Sequence, residues 1–373
     1  MWAMIVKEFR QVRRDRRTLA MMIVMPVLLL VVLGYAASFD VKSITVAVSG
    51  PQAGLVAGRL PSPFDVTTTA PGQGPAWARD QLRDGKAEMA VVTGAGRPQV
   101  LIDGSQLFSA KAALAALAAS PRQFTVGGAN TPGGPAGAGP AGPPKVTVLY
   151  NPDLTTSAIM IPGLCGVVLV FVGTIITSLG VVRERQSGTL EQLAVMPLRP
   201  RDVFLGKIVP YFLVAAVDLT IVLAVGIALF GVPFRGNPAV FGLGALAFLF
   251  VTLGIGVLIS SVSQNQGQAI QLAVMTLLPQ VLLSGLIFPL TSIAAGVRWI
   301  AYFLPLTYFN QISRGVMLRA EPIAALWQPF VFLALLGAIV VTGATLRFRA
   351  YLAPAAREHG PRGRAVEPQG AGA

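Results

Sequence analysis

Long uninterrupted apolar blocks dominate the hydrophobic pattern of this 373-residue chain. A helix needs about 20 residues to cross a hydrocarbon layer about 30 Å thick, and six blocks approach or exceed that length. They are Leu19–Ala37, Ala158–Val182, Ile208–Phe230, Ala239–Ile259, Ala269–Pro289 and Pro329–Leu346. Because backbone groups in hydrocarbon must be hydrogen-bonded within the protein, each block is predicted to form a transmembrane helix. The predicted fold class is a membrane all-α protein with six spans.

The first block has two interpretations. The small residues Gly34 and Ala36 could mark the cleavage site of a signal peptide. However, the block is longer than the usual apolar region of a signal peptide, about 7–15 residues, and it follows the mostly polar segment 1–18. We therefore favour an uncleaved first span over residues 19–37.

Basic residues are distributed unevenly around the blocks, and such residues favour the cytoplasmic side of a membrane. They cluster before the first block, between the second and third, and after the last: Lys7, Arg10, Arg13, Arg14, Arg16 and Arg17; Arg183, Arg185, Arg199, Arg201 and Lys207; Arg347, Arg349, Arg357, Arg362 and Arg364. This pattern predicts a multi-pass protein of the bacterial inner membrane, with both termini and segment 183–207 in the cytoplasm. Residues 38–157 are then outside.

Residues 1–18 place apolar side chains at helical spacing: Trp2, Ile5, Val6, Phe9 and Val12. One interpretation is a cytoplasmic amphipathic helix that lies in the membrane interface. The other is that the basic residues of this segment act only as a topology signal.

The external segment, 38–157, has the pattern of a small α/β domain between the first two spans. Strands are predicted at Ser43–Ser49, Met89–Val92, Gln99–Ile102 and Lys145–Leu149, and helices at Trp77–Glu88 and Ser105–Ala119. Residues 127–144 are almost all Gly, Pro and Ala, which predicts a loop that contributes nothing to a core. Asp80, Asp84 and Glu88 would share a helix face, where a solvated surface is a simpler interpretation than a divalent-cation site.

The composition supports the membrane assignment. Hydrophobic residues make up 54% of the chain and charged residues 12%, against about 25% charged in an average soluble domain. The net charge of +13 does not indicate nucleic acid, because the basic residues flank apolar blocks instead of forming one patch. The lipid bilayer is the expected surrounding. The single cysteine, Cys165, lies inside an apolar block and is predicted to be a packing residue.

Segment 183–207 is predicted to contain a short helix between two breakers. Thr189 and Gln192 resemble a capping box after Gly188, and Pro197 and Pro200 prevent the helix from continuing. A helix of two turns is not stable alone in water. We therefore expect it to dock into a groove of a soluble partner protein.

The same segment resembles the cytoplasmic coupling segment of type-2 ABC exporter permeases, whose pattern is Glu-x-x-x-Gly-Thr-x-Glu-x-Leu-x-x-x-Pro followed by Gly-Lys. The matching positions are Glu184, Gly188, Thr189, Glu191, Leu193, Pro197, Gly206 and Lys207. Further similarities lie at Asn151-Pro152, Phe288-Pro289 and the stretch 305–309, so the resemblance extends over nearly the whole chain. Gln186 and Met196 depart from residues that are common in the family.

The resemblance implies a transmembrane domain over 158–352 and a permease without its own ATPase. The partners would be a separate ABC ATPase subunit and a second permease, usually in a homodimer but in a heterodimer in some relatives. ATP and Mg would bind the ATPase, so no cofactor is expected on this chain. The coupling residues would be Glu184, Gly188, Thr189, Leu190, Glu191, Leu193 and Pro197. Relatives export drugs, lipids, polysaccharides or ions, and the substrate stays open.

Three further regions carry expectations. Asp218 is the one charge well inside a predicted span, and it either contacts substrate or protons or is a protonated acid bonded to a neighbouring helix. Residues 290–319 are predicted to be re-entrant or interfacial, with 310–319 along the surface. Residues 353–373 are predicted to be a disordered basic cytoplasmic tail.

Other functions remain to be compared with the exporter. An ion-coupled secondary transporter typically has inverted repeats and several ionisable groups inside the membrane, and this chain has neither. A membrane enzyme would need a catalytic cluster, yet the single histidine, His359, lies in the basic tail. The chain contains no Gly-x-x-x-x-Gly-Lys-Ser/Thr motif, so it is not expected to hydrolyse ATP itself. A non-transporting membrane scaffold would share most of these features.

Overall fold

The computed structural model describes residues 41, 43–94, 97–119, 144–187 and 200–358, with the backbone alone at 184–185, 200–211 and 348–358. Several sequence predictions therefore lie outside the described residues: the amphipathic helix at 1–18, the first span at 19–37, and nearly all of the loop at 127–144. The described part consists of an α/β domain followed by a helical membrane domain.

A five-stranded sheet forms the centre of the α/β domain. Its strands are β1 (Ile44–Ser49), β2 (Phe64–Ala70), β3 (Met89–Val92), β4 (Gln99–Asp103) and β5 (Lys145–Leu149). They lie in the order β2-β1-β3-β4-β5, with β3 and β4 antiparallel and all other neighbours parallel. The helices are α1 (Ala53–Ala57), α2 (Pro75–Arg83) and α3 (Leu107–Ala119).

Apolar side chains cover both faces of this sheet. Ile44, Val46 and Val48 of β1 face the helices α1 and α3, whereas Ala47 of β1 and Leu101 of β4 face α2. The alternation of β1 thus buries both sets of its side chains, as expected for a central strand between two helical layers.

The four predicted strands are confirmed, and β2 and α1 are additional. β2 lies at the sheet edge and its burial pattern is mostly exposed, so its sequence lacks the apolar alternation of a half-buried strand. The helix predicted at Trp77–Glu88 ends earlier, at Arg83, because Gly85 adopts a left-handed conformation (φ +64) that stops it.

The membrane domain begins with α4 (Thr156–Val170), which continues through a π-helical turn (Phe171–Ile176) into α5 (Thr177–Gln186). Next come α6 (Pro200–Phe230), α7 (Pro238–Val262) and α8 (Gln266–Leu283). The chain then forms α9 (Ala295–Ala301), α10 (Pro305–Arg314), a second π-helical turn (Gly315–Arg319) and α11 (Trp327–Glu358).

Within the described residues, four helices are long and apolar enough to cross a membrane: Thr156–Arg183, Phe212–Phe230, Pro238–Val262 and Trp327–Arg347. They coincide with the second, third, fourth and sixth predicted spans. The fifth predicted span, Ala269–Pro289, corresponds to α8, which is not among the four. α8 ends at Leu283, where Gly285 (φ +80) turns the chain, and several glutamines make it less apolar than the others.

The C-terminal region adds detail to two predictions that stay predictions. α10 and the second π-helical turn are almost wholly buried within the protein, with Gln311 as the exposed exception, and their position relative to the membrane is not determined by this burial. α11 continues to Glu358 and so extends into the segment 353–373 that is predicted to be a tail.

Candidate functional site

The predicted coupling segment lies between the end of α5 at Gln186 and the start of α6 at Pro200. Glu184 belongs to α5, and Pro200 is the first residue of α6, a position where a proline ring is tolerated. The remaining predicted coupling residues lie outside the described residues: Gly188, Thr189, Leu190, Glu191, Leu193 and Pro197.

The start of the coupling segment is connected to α8. The Gln186 side-chain oxygen accepts a hydrogen bond from the Gln266 amide over 3.0 Å. Behind it, Val182 of α5 packs in one apolar cluster with Ile259 of α7 and Ala269 of α8. A displacement of the end of α5 would therefore reach α7 and α8 as well.

The long helix above this point contains the π-helical turn Phe171–Ile176, where it crosses α7 closely. A Cβ added at Gly256 would lie 2.5 Å from the Gly173 carbonyl oxygen, and the Thr174 hydroxyl donates to the Thr252 carbonyl over 3.4 Å. π-helical turns within α-helices frequently occur at functional sites. Here the turn lies in the interior of the membrane domain.

Asp218 lies half-buried on α6, between the exposed Val217 and the buried Leu219. Within the described part of the chain, no hydrogen bond or ion pair involves this carboxyl group. Neither of the two roles predicted for Asp218 is therefore supported or excluded by its described neighbours.

A group of buried polar side chains lies between α8 and α10, which sequence reasoning did not predict. Both polar atoms of the Gln280 amide, the Ser284 hydroxyl, the Asn310 amide oxygen and Arg314 Nε have no hydrogen-bond partner among the described residues. Asn310 donates to the Ser284 carbonyl over 3.5 Å, and Arg314 donates to the Leu286 carbonyl over 3.2 Å. Buried unpaired polar atoms typically bind water or a ligand.

A second unpredicted group joins the α/β domain to the membrane domain, and we call it the junction cluster: Asp103, Ser105, Arg319 and Glu321. Arg319 Nη2 donates to Glu321 Oε2 over 2.7 Å. Arg319 Nη1 lies 3.4 Å from both Asp103 Oδ2 and Ser105 Oγ. Asp103 is at the end of β4, whereas Arg319 ends the second π-helical turn.

Burial and charge change the protonation behaviour of the junction cluster. Burial raises the pKa of Asp103, and the guanidinium of Arg319 opposes that rise only in part. Burial likewise raises the pKa of Glu321, and the guanidinium of Arg319 opposes this rise only in part. For Arg319, burial lowers the pKa but Asp103 and Glu321 raise it more. Nearby, burial raises the pKa of Tyr150 to about 12.

The α/β domain has a cavity of about 820 Å³ at the edge of its sheet where β1 and β3 end. Its lining includes Gly50, Thr93, Arg97 and Lys145.

The three carboxylates of the predicted helix face do not form a cation site. Asp80 and Asp84 pair with Arg83, and Glu88 accepts hydrogen bonds from the Ser109 hydroxyl and the Thr45 amide. In the described ranges, no group of three His, Cys, Asp or Glu side chains could hold a metal ion.

Comparison with known proteins identifies the family of this chain. The sequence model of the family described as "ABC-2 family transporter protein" matches residues 16–346. The chain belongs to this family. The matched residues include the α/β domain and most of the membrane domain, and therefore all four residues of the junction cluster.

Named relatives extend over nearly the whole chain. It is 28% identical over 370 residues to the probable multidrug ABC transporter permease YbhR of Escherichia coli, covering 94% of this chain and 98% of that protein. With YbhS of the same organism it shares 28% identity over 342 residues, covering 86% and 88%. The inner membrane transport permease YhhJ is 31% identical over 204 residues, 54% of each chain. The chain is thus a multi-pass membrane permease of an ABC exporter, and a transport subunit, not an enzyme.

Proposed function

We propose that this permease moves substrate outward across the bacterial inner membrane with energy from ATP hydrolysed on a separate ABC ATPase subunit. The observation that carries this proposal is the end of α5, where Gln186 contacts Gln266 of α8 and from which the chain continues to α6. A segment that joins α5 to α6 can receive a movement from a docked protein and pass it to α5, α6 and α8. ATP and Mg would bind the partner ATPase and not this chain.

The coupling contacts are assigned to Glu184, Gly188, Thr189, Leu190, Glu191, Leu193 and Pro197. Closure of the ATPase subunits would displace the short helix, and α5 would carry the displacement through the π-helical turn into α4. A π-helical turn has a looser hydrogen-bond pattern than an α-helix, so the helix can adjust there without breaking.

For topology we propose six spans, with α8 as the fifth and both termini in the cytoplasm. The distribution of basic residues supports this orientation. It places the α/β domain outside the cytoplasm, between the first span and α4. Two copies of the chain would pair, or one copy with a related permease, through the exposed apolar helix faces.

The substrate class we propose is an amphipathic, drug-like compound, since two relatives carry the name of probable multidrug permeases. The unpaired polar atoms of Gln280, Ser284 and Asn310 support a route beside α8 and α10, because they offer hydrogen bonds in an apolar surrounding. Asp218 would select against anions if the route passes α6.

The test of the coupling proposal is Leu193→Asp. An unpaired charge in a buried contact costs about 3–5 kcal/mol, and about 4 kcal/mol is roughly a thousandfold in affinity. We expect loss of the co-purifying ATPase and of permease-stimulated ATP hydrolysis, with membrane insertion unchanged. The matched control is Gln186→Glu, which keeps an acceptor for Gln266 and should retain both. Full stimulation by Leu193→Asp would show that this segment is not the coupling element.

A further inference from the structure

The junction cluster bridges parts of the chain that are far apart in sequence. Asp103 and Arg319 are 216 residues apart, and their side chains are 1% and 8% exposed. Glu321, on the other side of the guanidinium, is 4% exposed. Removing one partner of a buried ion pair leaves an uncompensated charge, so this arrangement is stable only while the two domains keep this relative position.

The backbone at the junction is held in an unusual conformation. Among the described residues, all three non-glycine residues with positive φ lie here: Tyr150 (φ 67), Leu154 (φ 49) and Ala320 (φ 54). Ala320 separates Arg319 from Glu321, and its conformation lets the Glu321 amide donate to the Gly315 carbonyl over 3.0 Å. Such strain persists only where the surrounding structure fixes it, and it clusters at functional sites.

Apolar contacts and a short connection complete the junction. Leu107 of α3 packs with Ala158 and Ile159 of α4 and with Leu318 of the second π-helical turn. The chain passes from β5 to α4 without a flexible linker, because the Asn151 side chain bonds to the backbone of Thr155 in both directions at 3.1 Å.

Two glycines adjoin the charged groups directly. A Cβ at Gly315 would collide with Glu321 Oε2, and a Cβ at Gly85, in the turn after α2, would lie 3.1 Å from Arg319 Nη2. The guanidinium is therefore enclosed by the α/β domain on one side and by the membrane domain on the other.

From these contacts we infer that Arg319 is a positioning residue that fixes the α/β domain to α4, α10 and the second π-helical turn as one rigid body. This inference rests on the proposed exporter cycle for its consequence: when the coupling segment moves α5 and α4, the α/β domain moves with them. The junction then transmits movement from the cytoplasmic end of α5, through the π-helical turn and α4, to the α/β domain without opening.

A single cysteine at Ala158 can report on the junction. Ala158 is 6% exposed within the apolar part of the junction, and the native thiol is removed by Cys165→Ser. In resting protein, Ala158→Cys should react slowly with a membrane-impermeant maleimide. Arg319→Gln should accelerate the reaction about tenfold or more, because tenfold corresponds to about 1.4 kcal/mol, less than an unpaired buried charge costs.

A second perturbation and two controls separate local opening from unfolding. Gly315→Ala changes no charged residue but displaces Glu321, and it should also accelerate labelling of Ala158→Cys. Gly296→Ala, where a Cβ meets nothing within 4 Å, should not. A cysteine at Ala90, which is 0% exposed in β3, should stay unreactive in every variant. If Arg319→Gln unfolds the α/β domain, the cysteines at positions 158 and 90 will both react. The labelling of Ala158→Cys in the Gly315→Ala variant then tests the inference.

The rigid-body statement is tested by labelling during ATP turnover with the partner ATPase. The cysteine at 158 in an otherwise unmodified junction should stay protected. Reactivity that rises only with ATP would overturn the inference by showing that the junction opens in the cycle. Unchanged protection in both Arg319→Gln and Gly315→Ala would also overturn it. If the permease does not stimulate the ATPase, the proposed function fails, while the resting labelling still tests the junction.

Discussion

Two pairs of membrane helices in this protein have similar hydropathy but opposite surroundings. In the most apolar 18 residues of Thr156–Arg183 and of Pro238–Val262 the mean hydropathy is 2.6 and 2.4, and 67% and 61% of those residues are buried. In the corresponding 18 residues of Phe212–Phe230 and of Trp327–Arg347 the mean hydropathy is 2.6 and 2.2, yet only 17% of the residues are buried in each. Hydropathy therefore identifies a span but does not tell whether protein or something else covers it.

Closely packed glycines are more frequent in the buried pair, although Gly226 of α6 also packs closely, against Ile161. In the buried pair, added Cβ atoms at Gly166, Gly173, Gly244 and Gly256 would collide with neighbouring side chains or backbone. In hydrocarbon the lipid tails are as apolar as leucine, so helices associate through close packing at small residues. The number of closely packed glycines in α4, the π-helical turn and α7 therefore agrees with the greater burial of this pair.

The largest effect is expected where aromatic side chains fill the interior. Phe248 of α7 is 0% exposed and stacks on Phe309 of α10 with ring centroids 4.7 Å apart. We expect Phe248→Ala to lower the free energy of unfolding by about 3–5 kcal/mol, because it leaves a cavity between α7 and α10. The measurement is SDS-induced or thermal unfolding of the purified protein in detergent.

Phe250, two residues along the same helix, is the matched control. It is 45% exposed, and its ring lies 6.0 Å from that of Phe212. Phe250→Ala should have a much smaller effect than Phe248→Ala. Equal losses would mean that the exposed face of α7 is covered by another part of the protein or a second copy.

An intermediate effect is expected at the crossing of α7 with the π-helical turn. A Cβ at Gly256 would lie 2.5 Å from the Gly173 carbonyl oxygen and 3.0 Å from the Thr174 carbonyl oxygen, both backbone atoms that cannot yield cheaply. Gly256→Ala should therefore destabilise the protein by about 1–3 kcal/mol. Gly242→Ala in the same helix meets nothing within 4 Å and should be neutral or stabilise by up to about 1 kcal/mol. Comparable unfolding curves for the two variants would contradict a tight crossing.

The sequence predicts the elements of this fold better than their surroundings. Four strands are predicted from short apolar runs and four spans from long apolar blocks. A long apolar block in hydrocarbon must pair its backbone groups internally, which favours a helix. The edge strand β2 is missed because its side chains are mostly exposed and polar. α8 is a weaker span than its length suggests, because Gln268, Gln271 and Gln280 interrupt its apolar pattern.

The candidate functional regions also differ in whether the sequence reveals them. The coupling segment can be proposed from local breakers and spacing, because its pattern is contained in one stretch of chain, and its role stays a prediction. The junction cluster cannot, because Asp103 and Arg319 come together only after the sheet and the membrane domain have folded. The burial of Arg314 and Arg319 likewise depends on partners that the sequence does not reveal, namely the Leu286 carbonyl and Asp103.

The smallest effect is expected on the exposed face of α6, and it decides what covers that face. Val217 and Ile221 are 57% and 54% exposed, whereas Leu219, between them, is 9% exposed in the apolar core. If lipid covers this face, Ile221→Ala should change the free energy of unfolding by no more than about 0.5 kcal/mol, since the side chain leaves lipid in neither state. Leu219→Ala should lower the free energy of unfolding by about 2–5 kcal/mol in the same assay.

A loss for Ile221→Ala that approaches that of Leu219→Ala would show that protein covers this face. Its dependence on protein concentration would then identify the cover, because a contact with a second copy weakens on dilution whereas a contact with the chain's own first span does not.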